Sequence, residues 1–151
     1  MYHEDSDIRI DNIESRGIIL KDDKVLLIFR IKNGGKYYVF PGGHMREGET
    51  PLDTAIREIE EETTVKAKDL TLIYELKTHI RNEIIEQYCF LGEWESGEPM
   101  LSGEEAVRNC EDNYYEPMWV DIDKIKDLNL FPSVAKEWVV YYLKDFLESR
   151  K

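Results

Sequence analysis

The sequence predicts an α/β fold, a mixed β-sheet flanked by helices. Three observations carry that expectation. Strand-like and helix-like stretches alternate in the order strands, helix, strands, helix, the pattern of a sheet with helices packed on it. Val25 to Arg30, VLLIFR, is apolar on both faces and suits an interior strand of such a sheet. Pro51 to Thr63 carries the start signals and the periodicity of a helix. A length of 151 residues is that of one domain, 1–151, and 42% hydrophobic with 11% aromatic residues favours a packed core over disorder.

Taken in order, residues 1–12 are polar and expected to be frayed at the periphery. Ser15 to Leu20 reads as the first strand, Asp22-Asp23 as a turn, and Val25 to Arg30 as the second strand. Lys32 to Lys36 is a glycine-bearing turn, and Tyr37 to Phe40 a short aromatic strand that runs into a Pro41-Gly42-Gly43 turn. Leu70 to Thr78 and Ile84 to Trp94 form a hairpin turning at Arg81-Asn82. Glu95 to Glu116 is long, acidic and turn-rich, and a loop of that length in a compact domain is commonly a lid or a linker. Pro117 to Val120 is a short strand, Asp121 to Ile125 a turn or short helix, and Pro132 opens a last helix ending near Glu148. On that helix Val134, Trp138, Tyr141, Tyr142 and Phe146 lie near helical spacing and are expected to face the core. No internal repeat or low-complexity tract interrupts the chain.

The central helix holds the chemistry. Pro51 suits its first turn, because its missing N–H has no partner there. Thr50 is placed to cap, with Asp53 completing a short-armed capping box. At about 100° per residue, Leu52, Ala55, Ile56 and Ile59 share one arc, expected to pack on the core. Glu58, Glu61 and Glu62 share the adjoining arc. Three like charges this close repel, so the cluster is either a solvated acidic face or a site that shares a cation. An all-oxygen donor set implies a hard one, Mg²⁺ or Mn²⁺.

The residues around these acids are ordered. From Gly43, five residues lead to Glu49, and seven more lead to Arg57-Glu58-Ile59; Glu60, Glu61-Glu62, Thr63, Thr64 and Val65 follow. This stretch resembles the box of the Nudix hydrolases: Gly, five residues, Glu, seven residues, Arg-Glu-aliphatic, one residue, Glu-Glu, one residue, Gly-aliphatic. Only the last glycine departs, where Thr64 stands. Average residue usage makes such a match rare by chance, on the order of one in 10⁸ per starting position. The departure bears on how the helix ends, since glycine is the easy residue for a left-handed cap. It touches no carboxylate.

The resemblance implies an α/β/α sandwich and hydrolysis of a pyrophosphate bond in a nucleoside diphosphate linked to another moiety. It implies Glu58, Glu61, Glu62 and the Gly43 carbonyl as ligands of Mg²⁺ or Mn²⁺. Glu61 is the first choice to position or deprotonate the attacking water, and Glu104 or Glu105 from the later loop the second. Arg57 and Glu49 match the positions whose side chains pair and orient the acids. Each has a plainer reading: Arg57 as an i,i+4 partner of Glu61, Glu49 as a charge favouring the helix N-terminus, Glu104 and Glu105 as solvated loop acids. Arg30, Gly42, His44, Glu104 and Glu105 are the substrate-binding candidates: Arg30 either reaches a substrate phosphate or lies at the surface, while Gly42 and His44 stand beside the box, with His44 expected to face the site. Tyr37, Tyr38 and Phe40 suit base stacking or the core. Beyond the box no substrate signature stands out. Thr78-His79-Ile80-Arg81 lies where ADP-ribose hydrolases tend to carry a proline.

A net charge of −12 argues against non-specific nucleic-acid binding, which relies on Lys and Arg. A small nucleotide is the expected partner, with neither nucleic acid nor membrane, and the chain as a monomer or homodimer. Cys89 and Cys110 form no metal-ligand spacing and no disulfide framework. MYHEDSDIRI lacks a basic region followed by an apolar core, so the cytoplasm is the expected compartment. The alternatives to a hydrolase are a Nudix-shaped domain that senses a nucleotide without cleaving it and an acidic protein-interaction domain.

Overall fold

Val25, Leu26, Leu27 and Ile28 are fully buried in strand β2 (Lys24–Lys32), as a run apolar on both faces requires. In this computed structural model, which describes residues 9–100 and 113–150, β2 lies inside an eight-stranded sheet. The other strands are β1 (Arg9–Lys21), β3 (Gly35–Val39), β4 (Gly42–Arg46), β5 (Lys66–Ile80), β6 (Glu83–Ser96), β7 (Asn113–Asp121) and β8 (Leu130–Phe131). Helix α1 (Pro51–Thr63) follows β4, a 3₁₀ turn (Ile122–Asp127) follows β7, and helix α2 (Ser133–Ser149) ends the described chain. The sheet order is β5-β6-β1-β2-β3-β8, with β4 on β1 and β7 on β2. Pairing is parallel between β1 and β6 and between β3 and β8, and antiparallel elsewhere, so the sheet is mixed.

Side-chain alternation along the strands splits the core in two. Ile18, Val25, Leu27, Cys89 and Leu91 pack with Ala135, Val139 and Leu143 of α2. Ile19, Leu26 and Phe90 pack with Ala55 and Ile59 of α1 on the opposite face. The arrangement is α/β/α. Among the described residues no helix is long and apolar enough to cross a membrane.

One feature of the sheet positions the site. β1 and β2 pair only at Leu20↔Val25 and Lys21↔Lys24, and then part. Beyond that point β1 takes β4 as its neighbour, from Arg16↔Gly42 to Arg9↔Arg46, while β2 takes β3. The Gly17 N–H donates to the Pro41 carbonyl at 3.0 Å across the fork. Gly42 and Gly43 therefore belong to a strand, where the sequence suggested a turn. The reason is space: a Cβ on Gly42 would collide with Cβ of Arg16 and the Ser15 carbonyl, so only glycine lets the strands close there.

Several expectations shift. β1 starts at Arg9, earlier than Ser15, so residues 9–12 are part of a strand, while residues 1–8 lie outside the described part. β7 starts at Asn113, inside the stretch read as loop, because Tyr114 and Tyr115 pair with Ile31 and Arg30 of β2. On α1 the buried residues are Thr54, Ala55, Ile59 and Thr63, while Leu52 and Ile56 are exposed. The helix seats on a narrower i,i+4 stripe, fixed at its start by the buried Ser15 hydroxyl donating to the Pro51 carbonyl at 2.7 Å. On α2 the buried stripe is Ala135, Val139 and Leu143. Trp138 and Phe146 pack at its margin, whereas Val134, Tyr141 and Tyr142 face out. Small Ala135 lets the helix approach the sheet one residue round from the aromatic face.

Candidate active site

Helix α1 begins with the predicted capping box: the Asp53 N–H donates to Thr50 Oγ1 and the Thr50 N–H to Asp53 Oδ2, each at 3.1 Å. This fixes the phase of the helix against the fork, and so the direction in which its acids point. Glu58 faces β4 so closely that a Cβ on Gly43 would lie 2.6 Å from the Glu58 carboxyl carbon. Glu62 accepts the Gly42 N–H at 2.8 Å. The glycine pair thus touches two of the three acids through backbone.

Arg57 ties the site together with five hydrogen bonds. Its Nε and Nη2 form a fork on Glu49 at 2.6 and 3.0 Å, a strong bidentate pairing. Nη1 donates to Glu58 at 2.8 Å and to Glu61 at 3.2 Å, and Nη2 also reaches the His44 carbonyl at 3.1 Å. Glu49 further accepts the Arg46 N–H and the Thr54 hydroxyl, both at 2.9 Å. Hydrogen bonding to Arg57 outweighs desolvation and draws the Glu49 carboxyl down to about 2, while the same bonds raise the Arg57 pKa. Glu49 therefore does more than favour a helix N-terminus, and Arg57 more than pair with Glu61.

Glu61 is the most open of the three acids, with Arg46 Nη1 lying 3.6 Å from its Oε2. Glu62 is the reverse. Burial first, and then the charge of Glu58, push its pKa up to about 8, against the Gly42 N–H, a hydrogen bond with Tyr115, and Arg16. Tyr115 in turn lies beneath the Arg30 guanidinium, 5.0 Å from its ring centroid, and Arg30 Nη2 donates to Asn113 at 3.0 Å. Arg30 Nε is buried with no hydrogen-bond partner. The side chain is thus held beside the acids, joined to Glu62 through one tyrosine.

His44 projects to the other face, its Nε2 4.0 Å from Glu14 Oε2. There an open cleft of about 440 Å³, lined by Glu14, Arg16, Gln87 and Phe131 among others, adjoins the fork. A larger cavity of about 830 Å³ lies under α2 at the far end of the strands and includes none of these residues. Glu104 and Glu105 lie outside the described residues. Among the described residues no three His, Cys, Asp or Glu side chains already surround one point in ligating geometry. Arg57 holds Glu58 and Glu61, and the Gly42 N–H holds Glu62.

Sequence reasoning missed Tyr115, Arg46, Thr54, Glu14 and Arg16. Strand register brings the first and the last two into place, and register is absent from any local pattern. Thr54 carried a signal, as a polar residue on the buried side of the helix.

A family model of the NUDIX domain matches residues 12–142. The chain belongs to the NUDIX family. This Nudix chain is 29% identical over 121 residues to an RNA pyrophosphohydrolase of Pelagibacter ubique, covering 74% of itself and 76% of that protein. It is 46% identical over 61 residues to an ADP-ribose pyrophosphatase of Methanocaldococcus jannaschii, a match spanning 38% of this chain and 36% of the other. A solved structure similar in fold is a NUDIX hydrolase from Nitrosomonas europaea, with a TM-score of 0.65 at 21% identity, covering 93% and 90% of the two chains. That likeness concerns the fold alone.

Proposed function

We propose that this Nudix chain is a divalent-cation-dependent pyrophosphohydrolase that cleaves a nucleoside diphosphate linked to another moiety. The single observation that carries the reading is the Arg57 hub. One guanidinium fixes Glu49, Glu58 and Glu61 beside a glycine strand whose backbone also engages Glu62. Relatives named RNA pyrophosphohydrolase and ADP-ribose pyrophosphatase support the bond type.

The donor set fits a hard divalent cation. Its side-chain atoms are all carboxylate oxygens, and Glu62 is pushed up first by burial and then by the charge of Glu58, both of which a bound cation offsets. Glu58, Glu61, Glu62 and the Gly43 carbonyl would hold Mg²⁺ or Mn²⁺. When bound, such an ion neutralises phosphate oxygens and acidifies water.

The chain's own residues do the rest. Glu49 and Arg57 hold α1 and the strand before it in one geometry, so that the acids need no reorganisation as charge develops. Glu61, the most open of the three acids, takes the proton of the attacking water. Arg30, with a buried and unpartnered Nε–H, offers a charge-assisted hydrogen bond to a phosphate oxygen. Gly42 borders the acids through the backbone of strand β4, its N–H on Glu62, while the His44 side chain lies on the opposite face beside Glu14.

The experiment is a panel of nucleoside triphosphates, ADP-ribose, dinucleotides and nucleotide sugars, each with Mg²⁺ or Mn²⁺, reading phosphate and pyrophosphate release separately. At least one compound is cleaved, and Glu61→Gln lowers kcat by about a hundredfold or more. Nucleotide bound but intact after hours with either cation assigns the sensing alternative instead.

A further inference from the structure

The cleft beside the fork has a chemistry of its own, on the sheet face opposite α1. Its volume of about 440 Å³ falls within the about 300–1,000 Å³ usual for small-ligand sites. Glu14 of β1 and Gln87 of β6 are direct register partners in a parallel pair, so their side chains stand side by side on one face. Glu14 is also the register partner of His44, next to Gly43, which places the cleft within a residue of the acid site. Arg16 Nη2 donates to Glu14 Oε1 at 2.8 Å while Nη1 donates to the Phe40 carbonyl at 3.1 Å, so the carboxylate is held from one side. Its Oε2 faces outward, with His44 Nε2 at 4.0 Å. The Gln87 side-chain amide makes no hydrogen bond among the described residues. Phe131 is about half exposed, its ring meeting Tyr37 edge-on with centroids 6.0 Å apart, which leaves a face open at the cleft.

We propose that this cleft is the nucleobase subsite and that it selects guanine over adenine, through Glu14 and Gln87 standing side by side with Phe131 as the stacking surface. A carboxylate is acceptor-only, and guanine presents two adjacent donors, N1–H and the N2 amine, to meet it. The neighbouring Gln87 amide supplies the donor for O6. In the pose guanine takes, adenine presents a bare N1 to the same carboxylate, lone pair against lone pair; turned to offer its N6 amine, it meets the pair with one hydrogen bond fewer than guanine. The open face of Phe131 suits any base, because every base has a π-face. Phe131 therefore provides affinity, and Glu14 with Gln87 provide choice.

The inference rests on the pyrophosphohydrolase reading for its biological sense, yet binding tests it separately. Calorimetric titration of the full chain with GMP and with AMP, neither of which carries a bond to cleave, reads the subsite directly. GMP binds at least about tenfold tighter than AMP. Glu14→Gln, which keeps a partner for Arg16, brings the ratio close to unity, and Gln87→Ala lowers it. Phe131→Ala weakens both nucleotides by about tenfold and leaves the ratio intact. Circular dichroism confirms that each variant is folded. Equal binding of the two nucleotides, a preference for AMP, or a GMP preference that survives both Glu14→Gln and Gln87→Ala overturns the proposal. If GMP selectivity holds and no compound of the panel is cleaved, the subsite stands and the hydrolase reading falls. If cleavage proceeds with no base preference in KM, the reverse follows.

Discussion

Among the described carboxyl groups, Glu62 carries the largest conflict between charge and surroundings. In the unfolded chain it ionises as an ordinary carboxyl; folded, it keeps its proton up to about 8. Between those values the folded state binds more protons than the unfolded one, so stability falls as pH rises. Without added cation, the wild-type Tm therefore drops by several degrees between pH 5 and pH 8, and the drop is smaller in Glu62→Gln. Thermal melts of both proteins across that range check it. Glu49 has the opposite sign. Its carboxyl is drawn down to about 2, so its contribution is complete above the ordinary carboxyl value and is lost progressively as pH falls from there to about 2. Replacing Glu49 with Ala takes the bidentate partner from the mostly buried Arg57 and leaves its Nε–H unpaired, which costs about 2–4 kcal/mol in denaturant titration, with activity falling alongside. The pairing of Arg57 with Glu49 was legible only through the resemblance to the family box, because both lie on that one continuous stretch. Tyr115 was not, since only the β2–β7 register brings its hydroxyl to Glu62.

At the scale of one element, helix α1 shows what a departure from the family box costs. Thr64 sits where the box has glycine and adopts the same left-handed backbone, φ +64°, with its N–H donating to the Glu60 carbonyl. A β-branched residue there is strained by about 1 kcal/mol. In compensation, Thr64 Oγ1 donates to the Glu98 carbonyl at 2.5 Å, and the Met100 N–H donates to the Thr63 carbonyl at 3.0 Å. The segment after β6 thus satisfies the Thr63 carbonyl at the helix end and accepts the Thr64 hydroxyl in return. Two substitutions separate the effects. Thr64→Gly removes both strain and hydroxyl and changes stability by less than about 1 kcal/mol. Thr64→Ala keeps the strain and loses the hydrogen bond, so it melts lower than Thr64→Gly. The cap and the acid stripe of this helix were readable from its periodicity and capping box. Its apolar stripe was misread at Leu52 and Ile56, because the helix meets a forked sheet and buries Thr54 and Thr63 in their place.

Across the whole molecule, the alternation of strands and helices announced the layers, and the two-sided apolar run of β2 announced an interior strand. What local pattern leaves out is the parting of β1 from β2, which depends on glycines packing backbone against backbone. The fork also joins site and fold energetically. On the proposed reading, a cation held by residues of β4 and α1 favours only the assembled state, so adding Mg²⁺ at a hundred times its dissociation constant is expected to stabilise the protein by about 2.7 kcal/mol. Scanning calorimetry with and without EDTA reads that gain, and it shrinks in Glu58→Gln. β2 itself has a kinetic corollary. β7 lines one of its margins from Lys24 to Lys32, and β1 and β3 share the other. In deuterated buffer, its amides are the last of the described residues to take up isotope, while the amides of the edge strand β5 that point away from β6 label within the dead time of a slow mixing experiment.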